Sequence, residues 1–222
     1  KIIFRQLCSL PGHLEDGMSY DANSITISTI REDTEYGGTR IALNAFLGNA
    51  RIPLQFDIGI GDAITPAAET AYFPVLLGGL SPKLRIYPKE TSIAEKAEAM
   101  ITKGFANSRM KDFYDIYYLS RTFDFEGAKL QAAIFETLQH RGTPYDKDSF
   151  KRIVALAEDE DMQKRWKYFL KTIKDDTLEF SVVIQSIQTF LVPVFDSIVN
   201  EDEWKKMWYS TDNKWRVIKG NE

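Results

Sequence analysis

Cysteine and histidine are almost missing from this chain: Cys8 is the only cysteine, and His13 and His140 are the only histidines, among 222 residues. A disulfide framework is thereby excluded, and neither a thiolate nor an imidazole metal centre has enough ligands. A reducing, cytoplasmic setting is the expectation. No uninterrupted apolar run approaches the roughly 20 residues that cross a bilayer, so no membrane association is expected. Positive charge is not in excess either. Lys and Arg number 28 against 32 Asp and Glu, for a net charge of −4, which excludes a protein that depends on a wholly basic surface and leaves open only a local basic groove. An initiator Met is also missing; the chain opens at Lys1, and an upstream segment is expected.

What is present is an ordinary core-forming composition, 44% hydrophobic and 27% charged, so disorder is not the dominant state. Residues 1–9 read as a helix stopped by Pro11-Gly12. Three segments then alternate apolar and polar residues: SITISTIR (24–31), TRIALNAFL (39–47) and RIPLQFDIGI (51–60). Tyr36-Gly37-Gly38 and Gly48-Asn49 are turn sequences, so an antiparallel meander is predicted. Pro66, Pro74, Pro82 and Gly78-Gly79 mark residues 63–82 as loop with short extended pieces, and LRIY (84–87) as a short strand. Ser92 and Glu95 have capping-box spacing at the start of a helix over 92–103. Helical periodicity continues over 108–121, 126–140, 147–157, 161–173 and 177–199. An aromatic tail with Trp204, Trp208 and Trp215 follows; its rings are expected to cover the helical core, the alternative being a contact surface. This order predicts an α+β protein, with residues 1–90 strand-rich and 91–222 helical.

Three places carry chemistry-bearing side chains at an informative spacing. Asp57 sits inside a strong strand, on the face opposite Ile52, Leu54, Phe56, Ile58 and Ile60, although Asp is a poor strand former. Lys96 borders the apolar stripe of Ile93, Ala97, Met100 and Ile101, where a lysine either snorkels to water or stands as a fixed ammonium at a cleft edge. Asp112 and Asp115, three apart, share one side of a helix whose other side holds Phe113, Ile116 and Tyr117. Local ion pairs from Arg109 to Asp112 and from Lys111 to Asp115 account for them equally well. The acidic groups at 146–148 and 158–161 read as solvated helix ends.

In this order and at this spacing, LQFDIGIGD (54–62), YPKETSIAEKAEAM (87–100) and SRMKDFYDIYYL (108–119) resemble the AbiEii-type nucleotidyltransferase toxins of bacterial abortive-infection and toxin-antitoxin systems. The resemblance covers roughly residues 20–140. In that family a Lys-x-x-Ala helix and an Asp-x-x-Asp-Leu/Ile helix follow a strand carboxylate; Lys96 and Ala99 supply the first here, and Asp112, Asp115 and Ile116 the second. The resemblance implies transfer of a nucleoside monophosphate from an NTP to an acceptor such as the 3′ end of tRNA, with Mg²⁺ as cofactor and an antitoxin protein as partner. It casts Asp57 as metal ligand or general base and Lys96 as the holder of nucleotide phosphates. Arg109, Asp112 and Asp115 would bind the nucleotide or order the site.

One part of the family pattern is missing. Its Gly-Ser or Gly-Gly turn and its Asp-x-Asp pair have no counterpart before residue 24, and Asp159-Glu160-Asp161 lies in the wrong context. The expectation is therefore that the first catalytic strand lies upstream of Lys1 and that the chain as it stands, with one carboxylate in place of three, binds Mg²⁺ poorly and is inactive alone. The alternative is a non-catalytic relative that binds nucleotide or an antitoxin without turnover.

Overall fold

A computed structural model describes residues 1–10, 17–30, 37–75 and 78–217. Pro11, Gly12, His13 and Tyr36, on which part of the turn and composition argument rested, lie outside the described residues. The α+β class is observed, and the chain divides into two compact units: residues 1–62 with 74–82, and residues 63–73 with 83–222.

In the first unit, α1 (Ile2–Cys8) precedes three antiparallel strands in the order β1 (Met18–Ile30), β2 (Gly38–Leu47) and β3 (Ala50–Gly59). The meander is as the alternation predicts. Its β2–β3 register pairs Leu47 with Ala50 across the Gly48-Asn49 turn, and so places Leu43 opposite Leu54 and Arg40 opposite Asp57. Gly48, at φ 56°, adopts the left-handed backbone that this tight turn demands. Ile25, Ile41 and Leu43 form a small buried cluster on one face, with Phe4 and Cys8 of α1 packed on it. The cover is thin: Phe56, Ile58 and Ile60 remain 41%, 40% and 68% exposed, although they share that face. Alternation fixes which side a residue points to, and burial then depends on what packs there.

The second unit opens with β4 (Glu69–Tyr72), one of the short extended pieces expected in this segment, paired antiparallel with β5 (Lys83–Ile86). There follow α2 (Lys89–Lys103), α3 (Met110–Thr122), the two-residue β6 (Phe125–Glu126), α4 (Gly127–His140), α5 (Ser149–Val154), α6 (Glu160–Ile173) and α7 (Phe180–Val199). The tail forms a hairpin, β7 (Lys206–Tyr209) and β8 (Lys214–Val217), completed by β6 in the order β6-β7-β8. α2 begins three residues before Ser92, so the capping box is not formed. Pro88 is the N-cap, with φ −58° and ψ 147°, and its extended backbone delivers the chain into the helix; Ser92 N–H then closes the first turn onto the Pro88 carbonyl at 3.2 Å. The 147–157 segment is shorter than its periodicity suggests, since α5 gives way to a 3₁₀ turn at Ala155–Glu158.

One continuous core holds this unit together. Ile93 and Met100 of α2, Phe113 and Ile116 of α3, Leu130 and Ile134 of α4, Trp166 of α6 and Phe190 and Phe195 of α7 are all buried within it. α7 is 20 residues long and apolar enough to cross a membrane by length and composition, and ten of its side chains are buried against the other helices. The aromatic tail behaves as expected of core. Trp208 is fully buried and its Nε1–H donates to the Ser120 carbonyl at 2.6 Å, while Trp215 donates to the Phe190 carbonyl at 2.9 Å.

Candidate functional site

The site is built on the reversal between α2 and α3. Ile93, Ala97 and Met100 take the inner face of α2, which leaves Lys96 on its border. Gly104 ends the helix at φ 46°, a conformation that side-chain-bearing residues rarely adopt. A 3₁₀ turn at Gly104–Ala106 follows, and Asn107, wholly buried, accepts the Arg109 backbone N–H on its Oδ1 at 2.8 Å. From α6, Arg165 Nη1 donates to the Phe105 and Asn107 carbonyls at 3.3 and 3.2 Å. The loop that launches α3 is thus pinned from both sides.

With Phe113 and Ile116 drawn into the core, Asp112 and Asp115 face Lys96. Its Nζ lies 3.5 Å from Asp112 Oδ1 and 3.1 Å from Asp115 Oδ2, and the three side chains are 23%, 13% and 24% exposed. Half-burial screens these charges less than open water does, and each contact is worth about 1 kcal/mol net. Lys111 reaches Asp115 as well, at 3.7 Å, as the helical spacing predicts. The expected pair from Arg109 to Asp112 is not among the ion pairs of the described residues, because Arg109 is the N-cap of α3 and its backbone, at φ −90° and ψ 71°, is not helical. An ammonium has three N–H donors. With two carboxylates at ion-pair distance, the ammonium retains donor capacity for an anion.

A second network, which the sequence reading did not single out, ties α2 to the end of α4. Glu98 is buried, and its carboxylate accepts from Thr102 at 2.5 Å, Thr143 at 2.7 Å and Arg141 at 2.6 Å. Burial pushes its pKa up, but those three hydrogen bonds and the Arg141 charge together outweigh it and hold the carboxyl below the usual range. Arg141 also approaches Glu95, at 3.8 Å. The helix that carries Lys96 is therefore anchored two residues away by a satisfied buried charge.

Asp57 belongs to the other unit. It stands on the polar face of β3, as expected, and Arg40 opposite it in the ladder grips both carboxylate oxygens at 2.8 Å. Those hydrogen bonds hold the Asp57 carboxyl below the usual carboxylate range, with Gln55 adding weaker contacts at 3.3 Å. Asp159, set aside as a catalytic candidate, has a structural use: it caps α6 by accepting the Met162 N–H at 2.8 Å.

The profile of the family described as "Nucleotidyl transferase AbiEii toxin, Type IV TA system" matches residues 10–201. The chain belongs to the AbiEii family. The match runs past the segment that carries the motif resemblance and takes in α4 to α7, so the helical half of this AbiEii protein is family structure too. No curated protein and no solved structure matches the chain. Whether the residues fit the Mg²⁺ that the family implies is decided by the donor set. Among the described residues no three His, Cys, Asp or Glu side chains gather as a metal site, and both oxygens of Asp57 are taken by Arg40. These residues do not make a Mg²⁺ centre.

Proposed function

We propose that this AbiEii-family protein is a cytoplasmic toxin that transfers a nucleoside monophosphate from an NTP to the 3′ end of a tRNA and is restrained by an antitoxin protein. In that reaction the acceptor 3′-hydroxyl oxygen bonds to the α-phosphorus. The bond from that phosphorus to the β-bridging oxygen breaks, and pyrophosphate leaves with the electron pair. The hydroxyl proton goes to a carboxylate, Asp57 in this reading, once Arg40 has released it. Lys96 holds phosphate oxygens with its ammonium, and Asp112 and Asp115 keep that ammonium in place. Arg109, free of any ion pair among the described residues, adds a second cation for the nucleotide.

The observation that carries this reading is the Lys96 ammonium held between two carboxylates on a pinned helix pair, in a chain of this family. Incubation with each labelled NTP and total tRNA tests it. Labelled tRNA is expected, and it should disappear in Lys96→Met and Asp57→Ala variants; labelling that survives both substitutions overturns the residue assignment. A second reading, a nucleotide-binding module without turnover, draws support from the Arg40 grip on Asp57. It predicts NTP binding that depends on Lys96 with no label on tRNA under any condition.

A further inference from the structure

Beside the Lys96 cluster, the first turn of α3 and the exposed side of α6 enclose a groove of about 780 Å³. Its lining surface is mainly apolar, and the charged side chains along it are mostly positive in a chain of net charge −4. Four cationic residues, Arg109 at the N-cap of α3, Lys111 from α3 and Lys164 and Arg165 from α6, line it with a single acidic one, Asp112. Lys164 is steadied on its outer side by Asp161 at 3.3 Å and Glu160 at 3.7 Å. Among these charges stands Tyr168, 74% exposed, with no aromatic partner among the described residues. Its neighbour Phe169 turns inward against Tyr114 and Trp166, at ring distances of 5.7 and 5.4 Å, which fixes the face of α6 that Tyr168 presents. The walls are tied together, since Arg165 bonds the loop that carries Arg109.

We propose that this groove binds the single-stranded end of a polynucleotide, with an unstacked base on the Tyr168 ring and backbone phosphates on Lys111 and Lys164, while Arg109 at its edge serves the nucleotide. A ring flanked by cations is the arrangement that holds single strands, since every base offers a stacking face and every nucleotide one phosphate. On α6 the cations Lys164 and Arg165 are adjacent and the lining runs on past Tyr168 to Thr172, about 12 Å from Lys164, which gives room for a chain to continue beyond one phosphate and one base. Asp112 both lines the groove and holds Lys96, so the groove leads to the ammonium. Only the orientation, 3′ end toward Lys96, and the use of Arg109 rest on the nucleotidyl-transfer reading.

The test is fluorescence anisotropy of a short labelled single-stranded oligoribonucleotide with the full chain, over a series of salt concentrations. Binding should weaken with salt, and Lys111→Ala and Lys164→Ala should each flatten that dependence. Tyr168→Ala should weaken binding by roughly tenfold or more, whereas Tyr168→Trp restores it; because Tyr168 is exposed, the melting temperature should not change in either. Oligonucleotide binding that is indifferent to Tyr168→Ala overturns the proposal. So does displacement of the oligonucleotide by NTP at equal affinity, which would make the groove a nucleotide pocket. The parent chain separates the two readings: if it never labels tRNA with any NTP yet binds the oligonucleotide in a Tyr168-dependent way, the groove stands and the transfer reading falls. If tRNA is labelled and its KM is unchanged by Tyr168→Ala, the groove assignment alone falls.

Discussion

Lys96 Nζ stands 3.1 Å from Asp115 Oδ2, a contact made across two helices and held in place by the pinned loop between them. Since Asp112 shares the ammonium, removing Lys96 leaves two half-buried carboxylates on one helix face without their common partner. Lys96→Met is expected to abolish NTP-dependent labelling while lowering stability by about 1–2 kcal/mol. A double-mutant cycle with Asp115→Asn, read by chemical denaturation, should return a coupling of about 1 kcal/mol. A coupling near zero would show that the pair does not fix the ammonium.

Glu98 gives the fold a pH dependence of definite sign. Its carboxyl titrates below its ordinary value of 4.5 in the folded chain, so its contribution is fully present above the unfolded pKa and is lost as pH falls through the folded one. Glu98→Gln keeps the shape but strands the Arg141 charge. At pH 7 it should cost about 2–3 kcal/mol. The gap between variant and parent should narrow below about pH 4, as measured by denaturant midpoints across pH; a constant gap would mean that Glu98 matters through packing alone.

The tail predicts its own energetics. Trp208 is buried with Phe190 at 4.8 Å and Trp215 at 5.5 Å between ring centroids. Trp208→Ala should cost about 3–5 kcal/mol. Trp208→Phe keeps most of the volume but leaves the Ser120 carbonyl without its donor, and should cost about 1–3 kcal/mol. Thermal melts of the two variants against the parent check the order, and an equal loss in both would assign the whole effect to the hydrogen bond.

Local pattern carried the elements well, because period 2 and period 3.6 report directly which side of an element is apolar. The meander and the helical half were legible in this way, and the burial of Trp208 from the size and apolar character of the residue itself. Positions set by a neighbour were not. The start of α2 depended on the extended backbone of Pro88 overriding a plausible Ser92 cap, and the extended piece at β4 does not itself say that β5 lies beside it. For the candidate site, helical spacing put Asp112 and Asp115 on one face, but nothing local told that this face meets Lys96 or that Arg141, 43 residues beyond Glu98, would neutralise it. The groove was hidden for the same reason, since periodicity does not say that α3 and α6 are neighbours. Arg40 is the instructive miss. The two-residue Gly48-Asn49 turn fixes the β2–β3 register, and counting back from it places Arg40 opposite Asp57 with no structure in hand.

That register makes Arg40 the control point for Asp57. With the guanidinium donating to both oxygens, the carboxylate is held in its charged form and has little remaining capacity for a proton or a metal. Arg40→Ala removes the largest cause of the lowered pKa, so the Asp57 carboxyl should move up toward the ordinary range of an exposed aspartate. An NMR titration of the side-chain carboxyl, compared between parent and variant, reads this directly. If Asp57 is the proton acceptor in transfer, the acid limb of the pH–rate profile should move up with it. A titration that moves while the rate profile stays fixed would leave the Arg40–Asp57 pair as a cross-strand tie and pass the base to another residue.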